Sequence, residues 1–95
     1  MTKKKVNQFD PWEIGANYFI RSVTNHYTGN LVAVHDKELV LTNAAWIADD
    51  GRFTQALETG NFNEVEMFPK NKQVIIGRGA VVDAVEIGLL PTTQK

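Results

Sequence analysis

Apolar positions cluster in short runs along the chain, separated by polar or glycine-containing turns. Residues 17–24 carry Tyr18, Phe19, Ile20 and Val23 and predict a first strand, with residues 25–29 as the turn after it. Residues 31–35 and 39–43 predict a second and third strand, joined by the polar turn His35-Asp36-Lys37-Glu38. Residues 44–48 prolong the apolar character until Asp49-Asp50-Gly51 breaks it. Asp50 is placed to cap a short helix through Glu58, with Phe53, Ala56 and Leu57 on one face and Gly60 as its terminator. Residues 61–69 predict an edge strand stopped by Pro69, followed by a turn over residues 70–73. Residues 74–76 and 80–87 predict the last two strands, bent at Gly77-Arg78-Gly79, a turn in which glycine supplies the flexibility.

Within these strands apolar residues stand at consecutive positions and do not strictly alternate. That pattern is expected where both faces of a sheet are covered. One face then fills the interior of a small, strongly curved structure, and the other lies under the helix, the insertion or a second subunit. Leu41 and Val82 are expected core positions. At the N-terminus, Asp10-Pro11-Trp12-Glu13 has the residues of a short helix start, and Gly15 ends it after a turn or two. Phe9 and Trp12 are expected to plug the core beneath it. Residues 1–9 form a basic tail, residues 10–88 the single domain with an insertion at 45–73, and residues 89–95 a C-terminal tail.

The pattern of residues 10–88 resembles the Sm-like (Hfq-like) family. Gly29, Leu31, Asp36 and Leu39-Val40-Leu41 look like its first motif, and Val74-Ile75-Ile76-Gly77-Arg78-Gly79-Ala80-Val81-Val82 like its second. The turn after Asp36 is shorter than the family's and lacks its base-contacting Asn. The resemblance implies a mainly β fold: a small, strongly bent five-stranded Sm-like or SH3-like barrel. It has a short N-terminal helix and a second short helix in the insertion between strands 3 and 4. It also implies a closed homo-oligomeric ring of roughly five to seven subunits that binds RNA, single-stranded DNA or another phosphate-bearing ligand. Arg78, Gly79, Asp36 and His35 are the implied ligand-binding residues, with Arg78 lining the central opening. The stretches 43–53 and 63–66 are similar to small proteins of tailed bacteriophages, which implies a viral source. A structural virion part and an inhibitor that sequesters a host signalling nucleotide between subunits are the alternatives.

Composition narrows the chemistry. Ninety-five residues make one domain at most, burying roughly 60–70% of the unfolded surface. A net charge of −1 argues against a broad basic face for duplex DNA, and leaves Lys3, Lys4 and Lys5 as a local polyanion contact. With no cysteine there is no disulfide, thiolate metal site or cysteine nucleophile. His26 and His35 sit near expected turns without partners at a ligand spacing, so both are expected to be solvent-exposed turn residues, and no metal or other cofactor is expected. No Ser-His-Asp order or carboxylate pair stands out, and the expectation is a non-enzyme. No run of apolar residues reaches membrane-spanning length and none follows the lysines, so the expected location is the host cytoplasm or the virion.

Overall fold

A computed structural model describes residues 3–5 and 10–95. In chain order its elements are β1 (Lys4–Lys5), β2 (Glu13–Ile14), β3 (Asn17–Ser22), β4 (His26–Val34), β5 (Glu38–Asp49), α1 (Phe53–Thr59), β6 (Glu64–Met67), β7 (Val74–Gly77), a 3-10 turn (Arg78–Ala80) and β8 (Val81–Ile87). The fold is mainly β. A six-stranded antiparallel sheet runs β6-β5-β4-β3-β8, with β7 also paired to β5. The first half of β5 pairs with β7 (Leu39↔Ile76, Leu41↔Val74) and its second half with β6 (Ala45↔Met67, Ile47↔Val65). Among the described residues no ladder joins β7 to β8, so the sheet is open where the sequence pattern predicts a closed barrel.

For β3 to β5 the consecutive apolar runs have the predicted cause, because both faces of the sheet are buried there, whereas Ile75 of β7 and Val82 of β8 stay exposed. Along β3, Tyr18 and Ile20 enter one core with Leu31, Leu39, Leu41, Ala44 and Ile76. The residue between them, Phe19, enters a second core with Ala45, Ile47, Ala56, Phe62, Val65 and Ile87. Successive strand residues point to opposite faces, so Ala44 and Ala45 of β5 likewise belong to different cores. The insertion supplies the second cover through Ala56 of α1 and Phe62, which stacks on Phe19 at 5.5 Å.

Several local expectations are corrected. Residues 10–14 are not helical. Asp10 Oδ1 accepts the Trp12 amide at 2.9 Å, closing a side-chain turn. Glu13–Ile14 then pair with Lys4–Lys5, so this part of the expected tail is a strand. Trp12 still packs on the core, edge-on to Tyr18 at 4.9 Å, while Phe9 lies outside the described residues. The turn expected at residues 25–29 sits earlier, where Ser22 N donates to Asn25 O at 2.8 Å, and β4 starts at His26. Gly29 is therefore inside a strand. It faces two residues of β5, Asn43 and Ala44, in a bulge that Asn43 makes by adopting φ 49°. A Cβ at Gly29 would lie 3.0 Å from Leu41 Cβ, so the close crossing needs glycine.

The insertion helix ends as predicted at Gly60, in the left-handed conformation with φ 74°. Its N-cap is Arg52 and not Asp50, and no side chain caps it. Val82 is 65% exposed on β8, which among the described residues pairs with β3 alone, whereas Leu41 is fully buried. Residues 92–95, expected as a free tail, end against β6: Lys95 N and Val65 O bond at 3.0 Å, Val65 N and Lys95 O at 3.1 Å. Lys95 Nζ also donates to Asn61 Oδ1 at 2.8 Å.

Candidate functional site

Arg78 is held where two turns meet. The 3-10 turn that carries it lies over the β4–β5 turn, and the Arg78 amide donates to Lys37 O at 2.9 Å. Its guanidinium donates from Nη1 to His35 O at 3.2 Å and faces Asp10 Oδ2 at 3.7 Å across Nη2. The structure thus brings Arg78 to the turn that contains His35 and Asp36. It adds Asp10 as a carboxylate beside the guanidinium. Arg78 keeps 31% of its side chain exposed, enough for some of its five donors to reach a ligand. His35 and Asp36 are exposed, and an open hollow of about 570 Å³ runs beside them past Lys37, Glu38 and Ile75.

The two glycines flanking Arg78 are not needed for backbone freedom. Gly77 has φ −66° and ψ 126°, and neither it nor Gly79 is among the glycines of positive φ. A 3-10 turn is open to most residues, which is why the expectation of a glycine-dependent bend fails. A Cβ at either position would meet nothing within 4 Å, so the approach to Arg78 is clear.

The lysines expected to meet a polyanion are elsewhere. Lys3 Nζ donates to Glu86 Oε2 on β8 at 2.9 Å, and that hydrogen bond holds its ammonium pKa above the ordinary value. Lys4 and Lys5 pair through their backbones with Ile14 and Glu13. Nearby, Tyr18 Oη accepts the Glu13 amide at 2.9 Å, and burial pushes the Tyr18 phenol pKa upward.

His26 is not a free turn residue. It lies on β4, its Nδ1 is 3.1 Å from both oxygens of Asp50, and its ring meets Phe19 edge-on at 5.6 Å. This contact also explains why Asp50 does not cap α1. Close by, Arg21 forks onto Asp83, with Nε donating to Oδ1 at 2.7 Å and Nη2 to Oδ2, and its guanidinium carbon lies 5.4 Å from the centre of the Phe53 ring. The hydrogen bond from Arg21 holds the Asp83 carboxyl below the usual carboxylate range.

Sequence reasoning missed a second concavity. Tyr27, Trp46 and Glu66 stand directly opposite one another across β4, β5 and β6, so they share one face of the sheet. Beside them the Phe68 amide donates to Ala44 O at 3.0 Å, and the Phe68 ring stacks on Tyr27 at 6.3 Å. With Asn25, Met67 and Pro69 these residues line a groove of about 450 Å³, within the size range of ligand pockets. The signal was Trp46 following Ala44-Ala45. Once Ala45 faces the core around Phe19, alternation places Trp46 on the opposite face with Tyr27. Among the described residues no group of His, Cys, Asp and Glu is arranged to hold a metal ion, and no helix is long and apolar enough to cross a membrane.

No family model matches the chain, and no curated protein or solved structure matches it.

Proposed function

We propose that this chain is a non-enzymatic binding module that assembles head to tail into a closed homo-oligomer through β7 and β8. Its sheet, on this reading, is of the Sm-like small-barrel type. The strand order β8-β3-β4-β5-β7, with β7 and β8 consecutive and linked by a 3-10 turn, supports that type. One observation carries the assembly. Among the described residues β7 pairs only with β5 and β8 only with β3, so each leaves one edge unpaired. Both edges carry bare aliphatic side chains: Ile75 is 67% exposed on β7, and Val82 and Val85 are 65% and 41% exposed on β8. Unpaired edges bearing exposed apolar side chains invite pairing with another chain. Two different edges on one protomer favour a heterologous contact, which closes into a ring when the rotation per subunit allows it.

Such a contact repeats Arg78 around the ring, since it sits in the turn joining the two edges. The ligand on this reading is RNA, single-stranded DNA or another phosphate-bearing molecule, taken by the exposed part of the Arg78 guanidinium in two-pronged fashion. Native mass spectrometry tests the assembly: a single closed oligomer of roughly five to seven subunits is expected, and a monomer at micromolar concentration removes the proposal. Arg78→Ala tests the ligand. It should keep its oligomeric state while losing at least about tenfold in affinity for a single-stranded oligonucleotide, since each hydrogen bond to a charged group contributes roughly 1.5–3 kcal/mol. Collapse to monomers would instead make Arg78 a structural residue.

A further inference from the structure

We infer that the aromatic groove on β4, β5 and β6 is a receptor for an arginine side chain presented by a partner polypeptide. The groove lies on a different set of residues from Arg78, and the inference does not rest on the assembly proposed above.

The aromatic residues are held in place before any ligand arrives. Tyr27 is fixed twice, by the Asn25 Nδ2 donor at 3.1 Å from its hydroxyl and by stacking on Phe68 with 27° between the rings. Phe68 is fixed in turn by its backbone bond to Ala44. Trp46 lies between Tyr27 and Glu66 in the cross-strand row and is 41% exposed. An indole left open beside two stacked rings is a surface for a planar or cationic group.

Charge decides which group. Besides the Tyr27 hydroxyl and the Trp46 indole N–H, the polar groups in the groove are the Asn25 amide and the Glu66 carboxylate, and no lysine or arginine lines it. The nearest cation along the chain, Lys70, belongs to the adjoining hollow beyond Phe68 and Pro69. Glu66 is exposed and makes no ion pair among the described residues. A phosphate-bearing strand laid on these aromatics would meet this carboxylate, so nucleic acid is disfavoured. A guanidinium fits both features, because its flat face stacks on Trp46 while its edge forks onto Glu66. Trp46 and Glu66 are directly opposite across β5 and β6, and Cβ atoms of such pairs typically lie about 4.5–5.5 Å apart, which lets one side chain touch both.

The test is NMR titration of the full chain with an acetylated hexa-arginine peptide. The readout is the indole N–H of Trp46, distinguished from that of Trp12 by the spectrum of Trp12→Phe. A saturable shift of the Trp46 signal is expected, with binding at least fivefold weaker for Glu66→Gln, an isosteric change at an exposed position that leaves the fold intact. The matching citrulline peptide, planar but uncharged, should bind at least tenfold more weakly than the arginine peptide. Trp46→Ala should abolish the shifts of Tyr27. If that variant does not fold, Trp46→Phe should reduce affinity while keeping the preference for arginine over citrulline. Absence of a saturable Trp46 shift, equal binding of the two peptides, or unchanged affinity in Glu66→Gln overturns the proposal. So does a saturable Trp46 shift with hexathymidylate added alone, without peptide, which would make the groove a base-stacking platform.

Discussion

Thr28 is fully buried on β4, and its hydroxyl has no hydrogen-bond partner among the described residues. Such a group loses its water without compensation. Thr28→Val keeps the shape and removes the orphan, so it should raise the free energy of unfolding by about 1 kcal/mol, read from urea denaturation. Gly29, the next residue, has the opposite sensitivity. Gly29→Ala drives a methyl against Leu41 and Ala44 and should cost roughly 1–3 kcal/mol. The Arg21–Asp83 fork makes a pH-dependent contribution. Because the folded carboxyl is held below its ordinary value, its stabilisation is present above about pH 4 and fades as pH falls through the lowered folded value. Both partners are well exposed, so the effect is small and screened by salt. Asp83→Asn should melt slightly below the parent protein at pH 7, and the gap should close towards pH 2. A gap that is the same at both pH values would show that the fork contributes nothing through charge.

Elements were legible where their signals were local. Gly60 ends α1 because glycine takes φ 74° with least strain, and there its missing side chain also makes room for Leu89 O, 2.6 Å from where a Cβ would be. Gly60→Ala should therefore lower the melting temperature by more than about 4 °C, the shift that accompanies 1 kcal/mol in a domain of this size. The start of the same helix was misread because Asp50 had two acceptable partners, the helix amides and His26, and the second lies 24 residues away in sequence. The N-terminal helix failed for a similar reason. Asp10, Pro11 and Glu13 fit a helix start equally as a turn, and the pairing of β1 with β2 decided it. Arg52 leaves the first turn of α1 without a side-chain acceptor, so Arg52→Ser should stabilise by roughly 0.5–1 kcal/mol, checked by thermal melting.

At the scale of the whole molecule, the mainly β class and the covering of β3 to β5 on both faces could be read from consecutive apolar residues such as Tyr18-Phe19-Ile20, whereas β1 and β2 could not. The exposure of Val82 could not, because an edge strand and a central one share the same β-branched composition. The candidate site divided in the same way. Arg78 and its turn were visible as a motif, while the groove required the register that sets Tyr27, Trp46 and Glu66 in line. The placing of Ala44 and Ala45 in different cores has a consequence for how the protein comes apart. Twelve-residue β5 is a wall common to both cores, and it hydrogen-bonds to β4, β6 and β7. Neither core can loosen without disturbing the backbone that the other is built on, so local opening is confined to the periphery. Amide protons of residues 39–47 should exchange with deuterium only through global unfolding, at one common free energy, whereas those of α1 should escape earlier by fraying. Two distinct exchange energies within β5, split at Asn43, would mean that the cores melt as separate units.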